Sequence, residues 1–211
     1  MHISDGILSG PVLAAGFGGA ALLAAATMRR MDMEEIPKVS VITAVFFVAS
    51  LIHVPIGPSS VHLILNGLAG MVLGIRAFPA IMLGIILQAI LFGHGGVSVI
   101  GVNTVMMGGG GLLAFGMWQL RHHVSFKHKE VVFGALAGGT GVLVSGLILS
   151  LALLTTGEAF AATAGLVLAA HVPIIIIETI VAGACAGFLM RVKPQLLAGN
   201  KRVMVYDRAS A

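Results

Sequence analysis

Five histidines, His2, His53, His62, His94 and His171, stand in or beside breaks between apolar stretches, and His2 has the most specific chemistry. In a chain that starts Met1-His2 with a free terminus, the amine, the His2 amide nitrogen and the imidazole Nδ1 can all reach one ion. Amine and amide close a five-membered ring with a metal; amide and Nδ1 close a six-membered one. The three nitrogens leave one corner of a plane open, and a histidine from elsewhere, such as His62, can supply the fourth. Planar nitrogen ligation suits Ni(II) or Cu(II) better than Zn(II), which favours a tetrahedron. The amine binds only when deprotonated. Its reference pKa is about 7.7–8.0, so affinity is expected to fall in acid.

The other histidines come with polar and turn-forming neighbours. His62 follows Pro55-Ile56-Gly57-Pro58-Ser59-Ser60-Val61. His94 lies in Gly93-His94-Gly95-Gly96, six residues after Gln88 and shortly before Asn103-Thr104. Irregular backbone at membrane depth is tolerated only where protein buries it or where it lines a cavity. Intramembrane polar residues are costly and mark function by default. Glu178, inside a long apolar run, reads either as a structural hydrogen-bond acceptor or as part of an ion's route. His122, His123 and His128 share a loop with Arg121, Lys127 and Lys129 and read as a solvated basic face. Met28, Met31, Met33, Met106 and Met107 are thioethers of the kind that suits Cu(I). They share no level of the bundle and read as packing.

These residues need elements to hold them, and the composition says which kind. Of 211 residues 58% are hydrophobic and 9% charged, with a mean hydropathy of +1.06. A soluble domain carries about 25% charged residues. A soluble enzyme, a disordered chain and a nucleic-acid binder are excluded. The net charge is only +4, so the high isoelectric point is no sign of nucleic acid. The single cysteine, Cys185, excludes an internal disulfide framework. What remains is an all-α integral membrane protein of one domain, residues 1–211.

A spanning helix needs about 20 mainly apolar residues. Seven segments qualify, at about 7–28, 39–56, 60–75, 79–93, 97–120, 130–154 and 162–190, the fourth being short. All twelve Lys and Arg fall in alternate gaps or in the tail. They are Arg29, Arg30 and Lys38; Arg76; Arg121, Lys127 and Lys129; and Arg191, Lys193, Lys201, Arg202 and Arg208. Basic residues favour the cytoplasm. The expectation is a multi-pass protein with its N-terminus outside and a cytoplasmic tail over 194–211. His2, His53, His62, His94 and His171 then share the outer half. The first segment lacks the basic n-region of a secretory signal. Glycines, 29 in all, crowd several segments and fit close helix packing or docking of a membrane partner.

No G-x-x-x-x-G-K-[ST] run is present, so energy from ATP would have to come from other chains. No H-E-x-x-H occurs, which argues against a zincin protease. A membrane metalloenzyme or haem protein, with histidines facing one another across helices, is one alternative class. A stand-alone metal channel or permease is another. A light-driven pump fails, because Lys193 lies beyond the last segment.

Taken together, these features resemble the CbiM/NikM family, the membrane substrate-binding (S) components of energy-coupling-factor (ECF) ABC transporters for cobalt and nickel. The stretches that carry the resemblance are Met1-His2-Ile3 with Asp5-Gly6; Pro58-Ser59-Ser60-Val61-His62 with Asn66-Gly67-Leu68; and Leu87-Gln88-Ala89 through His94-Gly95-Gly96. Gly101-Val102-Asn103-Thr104, His171-Val172-Pro173 through Glu178, and Arg191-Val192-Lys193-Pro194 complete it. They run through nearly the whole chain in the family's order.

The resemblance implies seven transmembrane helices, a six-helix S-component core plus an N-terminal helix. It implies capture and translocation of Ni²⁺ or Co²⁺ in the cytoplasmic (inner) membrane of a prokaryote, as in the supply of cobalt for cobalamin biosynthesis, and no enzymatic activity in this chain. It carries metal ligation onto Met1, His2 and His62. It places Ser60, Gln88, His94 and Asn103 around them as residues that orient the ligands or hold the N-terminal segment down. The implied partners are a transmembrane coupling subunit, cytoplasmic ATPase subunits and, where one is used, a separate small membrane subunit.

Overall fold

The structure, a computed structural model, describes residues 2–51, 53–56 and 59–199, the stretch 53–61 as backbone. Met1 and most of the expected tail, from residue 200 on, lie outside the described residues. Seven α-helices occur among those described: α1 Gly10–Met28, α2 Ile36–Ala49, α3 Asn66–Leu73, α4 Ala77–Phe92, α5 Ile100–Gln119, α6 Lys129–Leu154 and α7 Ala161–Val192. Three short strands join them: β1 His2–Ile3, β2 His53–Ile56 and β3 Ser59–His62. They form an antiparallel sheet in the order β1-β3-β2, with His2 opposite Ser60 and His53 opposite His62.

The expectation of seven spanning helices is met in part. By length and composition five helical stretches among the described residues are apolar enough to cross a membrane, although one of them, 66–92, is broken at Gly74–Arg76 into α3 and α4. At 14 residues α2 is shorter than a full crossing. The expected segment 60–75 is the largest departure. Its first part is strand and turn, and only eight residues form α3, about 12 Å of helix. The all-α reading therefore misses a small sheet. Large apolar side chains such as Leu22 (74% exposed) and Ile180 (66%) lie on the outside of the bundle, as lipid contact requires.

The chain reverses between α3 and α4 at Gly74–Arg76. Arg76, although charged, is 8% exposed. Its guanidinium donates to the carbonyls of Thr27 in the last turn of α1 and of Arg29 (3.1 Å) and Arg30 (2.8 Å) just beyond it, and to the Glu35 carboxylate at 3.1 Å. Beside it, Lys38 Nζ donates to the Val72 carbonyl at 2.8 Å. The buried charge is thus fully used, capping one helix and pinning the start of the next. This arginine end lies opposite a histidine end, because the chain before α3 and the chain after α4 both return to His2: its ring is 5.2 Å from that of His62 and 5.8 Å from that of His94.

Two further contacts fix the frame. A Cβ on Gly67 would stand 2.5 Å from the Gly138 Cα, so α3 and α6 touch backbone to backbone. After α7 the chain folds under the arginine end. The Ala198 amide donates to the Met71 carbonyl at 2.9 Å, and its carbonyl accepts from Trp118 Nε1 (3.0 Å) and Arg121 Nη2 (2.9 Å). The Arg121 guanidinium also stacks 3.8 Å above the Trp118 ring.

Two measurements check this frame. Gly67→Ala overpacks the α3–α6 contact and is expected to cost about 1–3 kcal/mol, read as a lowered unfolding midpoint in detergent. The Arg76 hydrogen bond holds the Glu35 carboxyl below its ordinary value. A lowered carboxylate stabilises the fold at neutral pH, and that contribution is lost as pH falls through the lowered value. The midpoint gap between the native chain and Glu35→Gln should therefore be open at neutral pH and close below about pH 4.

Candidate metal site

The site is built on β1. Residues 2 and 3 are short of helical partners, and two neighbours supply them. On one side β1 pairs with β3. On the other, the Asn103 side chain acts as a strand edge: the Ile3 amide donates to Asn103 Oδ1 at 2.9 Å, and Asn103 Nδ2 donates to the Ile3 carbonyl at 3.2 Å. A carboxamide offers one acceptor and a donor pair in one plane, the same pattern as a peptide unit. Ile3 is 0% exposed, His2 2% and Asn103 1%, so this pairing operates out of contact with water.

The loop between α4 and α5 closes over the strand. The Asp5 amide donates to the Gly95 carbonyl at 2.7 Å, and Asp5 Oδ1 accepts from the Ser98 amide (3.1 Å) and hydroxyl (2.5 Å). Gly95 has φ +77°, and a Cβ there would stand 2.7 Å from Asn103 Nδ2 and 3.0 Å from the Ile3 carbonyl. Glycine is thus required twice over, by the backbone conformation and by the approach of β1.

Of the residues expected at the site, His2, His62 and His94 are brought together, with half-buried His94 and buried His62 both flanking the His2 ring. His62 Nδ1 lies 2.7 Å from the Leu63 carbonyl. A carbonyl can only accept, so Nδ1 carries the proton and Nε2 holds the lone pair. Nε2 is buried and has no hydrogen-bond partner among the described residues. Gln88 is 0% exposed, and neither polar atom of its side chain has a partner among them. Ser60 lies opposite His2 in the sheet. Met1 lies outside the described residues. Among the described residues no three His, Cys, Asp or Glu side chains are arranged to hold an ion alone.

Two residues behind the site have clearer roles than the sequence shows. Glu178 on α7 is 0% exposed, and its Oε1 accepts from the Ile64 amide (2.6 Å) and the Leu65 amide (2.7 Å). Leu65 is left-handed (φ +54°) at the turn from β3 into α3, so Glu178 takes up the amides freed at that turn. Asn66, also 0% exposed, donates to the Gly141 carbonyl (3.0 Å) and Ser145 Oγ (2.9 Å). Of the two readings of Glu178, the structural one is thus directly visible. Asn66 stands out in sequence only as a polar residue in an apolar run and as part of the Asn66-Gly67-Leu68 stretch that carries the family resemblance.

Comparison with known proteins agrees with this architecture. A putative metal transport protein of Haemophilus influenzae is 36% identical over 93% of this chain and 97% of its own length. A fused nickel transport protein of Rhodobacter capsulatus, NikMN, is 28% identical over 99% of this chain and 67% of its own length. A crystal structure of a transition metal transporter shares the fold with a TM-score of 0.78 at 23% identity, covering 91% of this chain and 93% of the other. The family described as CbiM, cobalt uptake substrate-specific transmembrane region, matches residues 2–196. A membrane bundle with its buried N-terminal strand facing two histidines, matched over nearly its whole length, places this chain in the CbiM family of metal-transport proteins.

Proposed function

We propose that this chain captures Ni²⁺ or Co²⁺ from outside the cell at the histidine end and passes it inward as the substrate-binding subunit of an ECF-type importer. The observation that carries this reading is the strand His2–Ile3, held by Asn103 on one edge and β3 on the other, with the His62 ring 5.2 Å from that of His2. The terminal amine, the His2 amide and the His2 imidazole supply three nitrogens, and His62 Nε2 supplies the fourth. This donor set adds two backbone nitrogens to the two imidazoles, where among the described residues no three His, Cys, Asp or Glu side chains are grouped to hold an ion. Neutral nitrogens and a deprotonated amide favour late first-row divalent ions, and the planar arrangement favours nickel.

Asn103, Gln88, His94 and Ser60 position this clamp rather than bind the ion. Partners that orient ligands typically change affinity by about 10–100-fold when removed. The basic loops support a cytoplasmic arginine end, since Lys and Arg favour that side. Coupling to ATP hydrolysis then requires a transmembrane coupling subunit and ATPase subunits. The fused NikMN relative supports such partnering, since it joins further sequence to a chain of this kind. A stand-alone permease is the competing reading, and ATP-independent flux in liposomes distinguishes it.

The decisive test extends the chain by one residue before Met1, which keeps every side chain and displaces the amine. Ni²⁺ affinity, measured by titration in detergent, is expected to fall more than about 100-fold in this form and in His2→Ala, beyond the range for outer residues. Native affinity in the extended form would refute the clamp. Asn103→Ala is expected to fall within about 10–100-fold. Metal binding must displace the amine proton, so affinity should drop about tenfold per pH unit for that proton below about pH 7.7.

A further inference from the structure

Near the arginine end, two apolar grooves flank one side chain of α7. The first, of about 200 Å³, is lined by Ile42 of α2, Leu68 and Val72 of α3, and Cys185 and Leu189 of α7. The second, of about 320 Å³, runs between α6 and α7 past Val131, Gly183 and Gly187. Glycine projects no side chain, so this part of α7 leaves the space beside α6 unfilled. Phe188 borders both grooves and is 62% exposed, as a side chain in contact with lipid would be.

Cations stand at the rim of both grooves. Arg191 lines the second one directly. Lys193 sits between two residues that line the first: its amide donates to the Leu189 carbonyl at 2.9 Å, and its carbonyl accepts from the Leu196 amide at 3.0 Å. Lys38 Nζ lies 2.8 Å from the carbonyl of Val72, another lining residue. An ammonium has three donors, so that bond leaves two more. Arg191 and Lys193 are exposed, and among the described residues neither side chain has an ion-pair or hydrogen-bond partner. The acids nearest to these elements act elsewhere. Glu35 is paired with Arg76 at 3.0 Å, and Glu130 lies within reach of the Arg121 charge.

We propose that this face binds an anionic glycerophospholipid, with one acyl chain in each groove, Phe188 between the chains, and the phosphate on Arg191 and Lys193. The inference needs only the membrane and does not rest on the capture reading above. The grooves supply apolar contact along their length and the rim supplies the charge. A guanidinium presents paired donors that match a phosphate bidentately, and an ammonium adds a point charge beside it. A basic rim between membrane helices is the arrangement that recognises an anionic headgroup. The rival occupant is a helix of a membrane partner. A helix is about 10–12 Å across with a pitch of about 5.4 Å, so one turn fills roughly 400 Å³ or more, beyond either groove. A hydrocarbon chain enters both. Charge points the same way, because an apolar partner helix offers the three cations no counter-charge and a lipid phosphate does.

The test uses the full chain purified in detergent. The probes are dioleoylphosphatidylglycerol and dioleoylphosphatidylcholine, which share their acyl chains and differ in net charge. Native mass spectrometry should find the phosphatidylglycerol retained in preference. Arg191→Gln combined with Lys193→Gln should weaken that retention about tenfold or more, since each basic residue beside an anionic lipid adds its own attraction. Both side chains are exposed, so the unfolding midpoint in lipid-free detergent is expected to stay native. Cys185 gives a second readout on the unaltered sequence, being the single cysteine and a lining residue of the first groove. Added phosphatidylglycerol should slow its alkylation by N-ethylmaleimide, and the double variant should lose that protection. Equal retention of the two lipids would overturn the proposal and leave the cations as markers of topology alone. Selectivity unchanged in the double variant would overturn it as well. So would protection of Cys185 that co-purified partner subunits give and added lipid does not, which would make this face a protein interface.

Discussion

A backbone that leaves the helix inside a hydrocarbon layer must find partners for its amides and carbonyls within the protein. The rest of this structure depends on how that demand is met at one place, the stretch from β3 into α3. There the chain passes from strand to helix through a left-handed leucine, and the Glu178 carboxylate accepts from the amides of Ile64 and Leu65. Glu178 is supplied by α7, more than a hundred residues away. Removing that acceptor would leave two amides unpaired in an apolar interior, each costing about 1–3 kcal/mol. With it, β3 can stop where it does, His62 can face the N-terminal strand, and α3 can be as short as eight residues.

Close packing follows from the same demand. A short α3 brings no long apolar face to bury, so it gains its stability from backbone contact, with Gly67 set against Gly138. Asn66 at its first turn then reaches two groups on α6, Gly141 and Ser145. At the arginine end the reversal after α3 is held by Arg76, whose donors are spent on the carbonyls that α1 leaves unpaired. The two ends of the α3–α4 unit are therefore anchored by polar contacts to different helices. Apolar packing in lipid supplies little discrimination between alternative arrangements, and these polar anchors supply it.

The sequence makes some of this legible and hides the rest for identifiable reasons. The long helices are plain, because continuous apolar runs need no partner to be recognised. The histidine-rich turns and the Asn103 region also stand out, because polar residues in such a chain have few structural uses. The strands are hidden. His2–Ile3 and Ser59–His62 are too short for any alternation to show, and the second edge of β1 is completed by a single side chain, Asn103, a hundred residues away. The segment at 60–75 reads as a helix because hydropathy averages over a window and cannot see that its first residues pair with another strand. The place of Glu178 is ambiguous in sequence, since a buried carboxylate reads the same whether it caps a turn or meets an ion. In the structure its two oxygens differ, one taken by amides and one free of partners among the described residues.

The position of the strand also bears on how a metal held there would be let go. A site made of side chains on rigid helices opens only if helices part. On the proposed reading, three of four donors belong to one terminus, and that terminus is held by a few discrete hydrogen bonds to Asn103, to β3 and to the loop after α4. A small shift of α5 would withdraw Asn103 from Ile3, and the loop that carries Gly95 and Ser98 leads directly into α5. Two of the three anchors of the strand therefore lie on α5 or on the loop that leads into it. Movement of α5 against the rest of the bundle would loosen the amine, amide and imidazole together, whereas exchange of single ligands would have to overcome each chelate ring in turn. On the proposed reading, a clamp built on a strand held in this way would be released by one mechanical displacement.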